Sequence, residues 1–264
     1  MDPILFVLII LAVGAGVGVV SAALGVGGGV LMVPAFLYVF PDMDMNTAKG
    51  SSLLAIVFVA GFNSWRMNRG EMKNPWSVAA AIAAGAMVGG FAGGWLTGLM
   101  SDAAVTWVFV GLLAFSGIRS FFLQSRAIHE EDVRQRKGAA ALIGLVSGLV
   151  AGATGTGGGA VLVPLTLWAG LVSNERVVAL SNTVMAATAA AGTVAHLASE
   201  RTMDTASTYG LVNVSLVPVV VVAAIATAPV GRWINGHLSL NRRRVVMGTL
   251  LLVIAARLIY RVMA

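Results

Sequence analysis

Cysteine is absent from the 264 residues, and charged side chains make up only 11% of them. The first absence excludes disulfides and thiol chemistry. The second excludes an ordinary soluble domain, in which roughly a quarter of residues are charged. Histidine occurs only three times, scattered, so a His/Cys metal site is not expected. Acidic residues number 11, all in loops or at helix ends, and none interrupts the middle of an apolar run. Carboxylates inside a membrane mark cation pathways and proton relays, so their scarcity argues against both.

What is present is apolar: 58% hydrophobic residues and a mean hydropathy of +0.90. The apolar runs cover roughly 4–24, 30–40, 47–65, 76–98, 104–123, 139–153, 158–171, 177–198, 209–231 and 245–262. Runs of this length and continuity predict an all-α polytopic membrane protein rather than a β-barrel, whose strands alternate. The N-terminus does not read as a signal peptide, since Asp2 stands where a basic region belongs. The net charge of +6 fits basic cytoplasmic loops better than nucleic-acid binding, for which no basic soluble domain is evident. GVGGG also lacks the strand–turn–helix setting of a dinucleotide site and the Lys-Ser/Thr of a P-loop. No cofactor and no enzymatic activity are therefore expected.

The chain repeats itself. Residues 25–34 read GVGGGVLMVP and residues 155–164 read GTGGGAVLVP, with six of ten positions identical. Upstream, Gly14, Gly18 and Ala22 echo Gly144, Gly148 and Gly152. Downstream, Ala48 with Ser51-Ser52 aligns with Ala179 and Asn182-Thr183, and Gly61 and Trp65 align with Gly192 and His196. The predicted organisation is a first transmembrane repeat (1–123), a charged cytoplasmic linker (124–138) and a second repeat (139–264). Such duplication is the common build of secondary transporters. Basic residues decide between parallel and inverted repeats. Inversion gathers 13 of the 17 Lys and Arg on one side, with Asp2, Asp42, Asp44, Asp102 and Asp204 opposite. This predicts inverted repeats with both termini outside. Arg257 and Arg261 are the misfit, on the outer side.

Three consecutive glycines permit torsions that a helix denies to other residues. Pro34 and Pro164 are expected near the start of the next helical piece. The expectation is a helix or hairpin broken at membrane depth at the start of each repeat. Residues 30–40 would span about 16 Å as helix, half the hydrocarbon core. The helix after each break would offer bare N–H groups and a positive dipole end to an anion. By contrast, Gly85, Gly89 and Gly93, and Gly144, Gly148 and Gly152, have the spacing of helix packing.

The candidate substrate site follows: Gly25, Gly27, Gly28 and Gly29 in one half, Thr154, Thr156, Gly157, Gly158 and Gly159 in the other. Lys49 reads either as a snorkelling interfacial lysine or as an attractive charge for the anion. Ser51, Ser52, Asn182 and Thr183 hold equivalent places; their short polar groups either bond their own helix or reach a ligand. His196 reads as interfacial or as a coupling group that titrates in a useful range. Trp65 beside Arg66 looks like an interfacial belt residue, or a gate in the place matching His196.

A paired G-x-GGG-x-x-x-V-P, each copy followed by a small or polar helix start, resembles the sulfite exporter TauE/SafE family, also called the toluene sulfonate uptake permease family. The resemblance implies about eight membrane helices in two repeats and transport of sulfite, sulfonates, sulfoacetate or similar small anions. It carries over Gly25 to Gly29 and Gly155 to Gly159 as the centre of the site, with Ser51, Ser52, Asn182 and Thr183 at the helix starts. Lys49-Gly50 departs from the family motif. The expected function is a secondary transporter of a small organosulfur anion, working by alternating access in the bacterial inner membrane with a coupling ion. The alternative is a passive anion channel using the same site. The partners are then the substrate anion and the lipid bilayer.

Overall fold

In a computed structural model, residues 3–24, 28–69, 74–122, 128–134, 136–200 and 207–263 are described. Their helices follow the apolar runs. They are α1 (Pro3–Leu24), α2 (Gly29–Val39), α3 (Met45–Asn68), α4 (Trp76–Gly98), α5 (Asp102–Phe122), α6 (Lys137–Thr154), α7 (Gly159–Trp168), α8 (Val177–Leu197), α9 (Leu216–His237) and α10 (Leu240–Met263). Eight of them are long and apolar enough to cross a membrane; α2 and α7 are not. At about 1.5 Å per residue these two reach about halfway through the hydrocarbon core. Helix is the economical answer here because it satisfies each backbone group within its own segment.

One run differs from expectation. The stretch predicted to be apolar from 209 begins with a short hairpin, β1 (Thr208–Tyr209) and β2 (Val212–Asn213). Gly210 turns it with φ +54°, and a Cβ there would press on the carbonyls of His196 and Leu197 at 2.5 Å. The hairpin is pinned to two helix ends: Leu211 N–H donates to the His196 carbonyl (2.9 Å), and Asn213 N–H to Ser51 Oγ (2.9 Å).

Packing is carried by small residues. Along α4 and α6 a Cβ on Gly85, Gly89 or Gly93 would overlap the backbone of Ala141, Leu145 or Leu149; Gly144, Gly148 and Gly152 face Ile82, Ala86 and Gly90 in return. The expectation that these six glycines serve packing therefore holds. The register shows α4 and α6 running parallel. The same device joins α1 to α9, with Gly14 on Val220, Gly18 on Ala224 and Gly231 on Val19, again parallel. By contrast α3 and α8 run antiparallel: Leu53 meets Gly192 near one end, and Ser64 meets Thr183 near the other. α5 and α10 are antiparallel too, with Gly117 on Leu252 and Gly248 on Phe121. Exchanging α1–α5 for α6–α10 turns the α1–α9 pairing into α6–α4 and leaves α3–α8 and α5–α10 unchanged.

Two acids sit at helix starts. Asp44 caps α3, accepting from Thr47 N–H at 2.8 Å, and Asp102 at the start of α5 accepts Met45 N–H at 2.6 Å. Carboxylates at N-termini satisfy unpaired N–H groups and complement the helix dipole. Arg261, out of place by charge bias, is explained by a cap at the other end. Its guanidinium donates to the carbonyls of Leu37 (2.9 Å), Pro41 (2.9 Å) and Met43 (3.1 Å), where α2 ends.

Candidate functional site

The second glycine run breaks its helix as expected. α6 ends at Thr154, α7 begins at Gly159, and Gly155, Gly157 and Gly158 have φ of +72°, +75° and +85°. Only glycine enters that region at low cost. In the first half, α1 ends at Leu24 and α2 starts at Gly29; Gly25 and Gly27 lie outside the described residues. Gly28 differs from its counterpart Gly158: it caps α2 with ordinary right-handed torsions, φ −61° and ψ −32°. The prolines are a correction. Pro34 and Pro164 are each the sixth residue of a short helix, one turn past the tolerated first position. Each therefore withholds the N–H that residue Val30 or Ala160 would accept.

Both breaks come together on one face of α3. Lys49, Ser52 and Ile56 recur at helical spacing on that face. Gly155 packs on the Lys49 backbone, where a Cβ would approach Lys49 Cα at 2.7 Å. Ser52 Oγ donates to the Gly155 carbonyl at 2.9 Å. Ile56 wedges against Gly29 from one break and Gly157 from the other, and Gly29 also abuts the Thr156 backbone. Across from Ile56, Met185 of α8 touches Gly157 and Gly159.

Lys49 lies at the centre and is 0% exposed, so the snorkelling reading does not hold. Its ammonium donates to Thr97 Oγ1 at 2.9 Å and to the Ala153 carbonyl at 3.2 Å. Thr97 in turn donates to the carbonyls of Gly93 and Gly94. Among the described residues no carboxylate lies within 4.0 Å of Lys49; the ion pair present is Arg176–Glu130, at a loop. Lys49 and Ser52 thus cap the carbonyl end of α6 where it breaks, and the cation lies at the negative end of that dipole. An ammonium has three donors, and two are used here.

The flanking hydroxyls are sealed in the same region. Thr154 Oγ1 bonds the Val150 carbonyl (2.6 Å) and shares a bond with Thr156 Oγ1 (2.9 Å); both threonines are buried. Ser51 Oγ donates to its own helix at the Thr47 carbonyl (2.7 Å) and accepts from the hairpin. His196 is likewise buried, which overturns the interfacial reading. Neither ring nitrogen is hydrogen-bonded among the described residues, and the ring lies beside Gly94, one turn from Thr97.

Two expected members are elsewhere. Thr183 meets Ser64 Oγ at 2.6 Å and accepts from Asn74 Nδ2, while Asn182 Nδ2 donates to the Val178 carbonyl at 2.9 Å. Ser64 is twelve residues beyond Ser52, about 18 Å along α3. The antiparallel crossing of α3 and α8 separates the equivalent pairs rather than joining them. Trp65 is half exposed, with the Arg69 guanidinium 4.0 Å from its ring centroid, as an interfacial residue would be. Sequence reasoning missed Thr97, Ile56, Met185 and the Ala153 carbonyl. Thr97, at the end of a glycine-rich apolar run, was a signal within reach; a carbonyl carries none.

Eight spanning helices, two short helices at broken backbone and a buried polar centre define a polytopic membrane protein of the transporter class. The family model for the sulfite exporter TauE/SafE matches residues 10–258, and the chain belongs to that family. It is 30% identical over 189 residues to a probable membrane transporter protein of Haemophilus influenzae, covering 68% of each chain. A probable membrane transporter protein of Methanocaldococcus jannaschii is 24% identical over 92% of this chain and 91% of its own. One from Bacillus subtilis is 24% identical over 96% and 97%. No solved structure matches the chain.

Proposed function

We propose that the protein is a secondary transporter of a small organosulfur anion of the sulfite, sulfonate or sulfoacetate type. It works by alternating access around the junction of the two glycine breaks. One observation carries this reading: a single face of α3 touches both breaks and holds a buried lysine with no carboxylate within 4.0 Å among the described residues. The third donor of Lys49 and the starts of α2 and α7 then offer what an oxyanion needs, beside the buried Thr154 and Thr156. The sealed packing of Lys49, Ser52, Thr154 and Thr156 supports a carrier with an occluded state over an open channel. His196, buried beside Gly94 and near Thr97, is proposed as the coupling group.

The repeats are proposed to be inverted in a cytoplasmic membrane, with the first at 1–123, the linker at 124–138 inside, and the second at 139–264. The antiparallel pairing of the equivalent helices α3 with α8 and α5 with α10 supports this; parallel repeats would align them. Both termini then lie outside.

The test is a thermal-shift series on purified protein with sulfite, thiosulfate, sulfoacetate, taurine and carboxylate analogues, followed by uptake into proteoliposomes. A ligand at 100 times its Kd stabilises the fold by about 2.7 kcal/mol. Selective stabilisation by sulfur oxyanions, with saturable uptake of the same compound, is expected. Equal or absent responses across the series would overturn the substrate class; ohmic currents far above carrier turnover would overturn the carrier.

A further inference from the structure

A groove of about 900 Å³ runs between α1, α2 and α10, from beside the start of α2 toward its far end. Its floor is apolar, from Val20, Leu31 and Leu250 at one end past Gly16, Pro34 and Ile254. At the other end stand Arg257 and Arg261 with Tyr38 and Tyr260. From Leu250 to Arg261 the groove covers about 16 Å of α10, half of the hydrocarbon core, so it occupies one leaflet.

The two arginines differ. Arg261 is committed to three carbonyls at the end of α2. Arg257 lies over the Tyr38 ring at 4.3 Å and makes no hydrogen bond or ion pair among the described residues. Its guanidinium presents donors in a fixed fork suited to phosphate, at the polar end of an apolar trough. Both arginines also sit on the side that the charge bias leaves acidic, so loop orientation does not account for them. A cationic head site joined to a one-leaflet apolar trough has the charge and shape of an anionic phospholipid.

We propose that this groove binds an anionic phospholipid, its phosphate on Arg257 and an acyl chain along Gly16, Leu31 and Ile254. The site is independent of the transport reading. Gly16 gives a clean probe, since a Cβ there meets nothing within 4 Å, whereas Gly14 and Gly18 on the same helix pack tightly against α9. A larger side chain at 16 enters the groove and leaves the helix contact alone.

The experiment is native mass spectrometry and thermal shift on delipidated full-length protein, with phosphatidylglycerol or phosphatidylcholine of matched chains. Phosphatidylglycerol is expected to be retained preferentially, and glycerol phosphate without chains to have no effect. Arg257→Gln should reduce the headgroup preference about fivefold, the worth of one basic contact with an anionic lipid surface. Gly16→Phe should lose retention of both lipids while its melting temperature without lipid stays that of the wild type. Equal retention of the two lipids, or preference unchanged by Arg257→Gln, would overturn the head site. Retention unchanged in Gly16→Phe would overturn the trough. A dimer that Gly16→Phe dissociates would show a second copy, not lipid, on this face.

Discussion

Lys49 and Ala153, 104 residues apart, are joined by a 3.2 Å hydrogen bond from the side chain of α3 to the last turn of α6. Three residues along α3, Ser52 bonds the carbonyl of Gly155. α3 therefore closes the broken end of α6. The reverse cap is not available in kind, because Leu180 stands where symmetry would put the lysine.

Removing that cation tests binding against scaffold. Lys49→Met should abolish saturable transport and raise the Kd for the sulfur anion by at least about tenfold. It also strips the donor from the Ala153 carbonyl, at a cost of about 1–3 kcal/mol in stability. Denaturation and ligand titration on the same sample separate the two. Lost stability with unchanged affinity would leave Lys49 as a helix cap alone.

Ser52→Ala deletes one hydroxyl that faces a carbonyl and nothing larger. An unsatisfied Gly155 carbonyl should lower stability by about 1–3 kcal/mol. Ser51→Ala should weaken the hold of the 208–213 hairpin instead, read as faster amide exchange at Asn213.

The two breaks should respond unequally to the same change. Gly158→Ala forces a side chain into left-handed torsions and toward the Ser147 carbonyl at 3.0 Å. It should cost about 1–2 kcal/mol or more. Gly28→Ala meets the flexible end of Met32 at 3.3 Å and Val17 and Ser21 at ordinary contact distance, with right-handed torsions, and should be near neutral. Matched melting temperatures for the two variants would contradict this asymmetry.

Gly148→Val should separate α4 from α6, because the new side chain overlaps the backbone at Ala86. Overpacking of this kind costs about 1–3 kcal/mol. Gly111→Ala, with open space around its Cβ, is the control and should leave the melting temperature unchanged.

The natural absence of cysteine makes orientation directly measurable. Asp132→Cys should be shielded from membrane-impermeant thiol reagents applied to intact cells, and Asp42→Cys should be labelled. The opposite pattern would reverse the proposed topology.

Much of the fold was legible because it follows from local solvent preference. Each long apolar run became a helix, and the six spaced glycines packed as their period required. The 209–231 run misled at its start because a Tyr-Gly turn can be as apolar as a helix. Pro34 was misplaced because α2 starts immediately after the glycines, which puts the proline a full turn inside it. In the site, the second break was legible in Gly155, Gly157 and Gly158. The partition of polar residues was not: Ser52 and Thr183 match in the repeat yet lie far apart, since antiparallel helices bring unlike positions together.

The sequence alone determined a helical membrane protein that carries its glycine motif twice, since chain polarity and torsional freedom belong to individual residues. Tertiary structure decided that Lys49 is buried rather than snorkelling, and that Ile56 packs against both breaks. It also decided that a lysine of α3 caps the end of α6. Those outcomes depend on which backbones approach closely. That distance is set by small-residue seams between segments far apart in the chain.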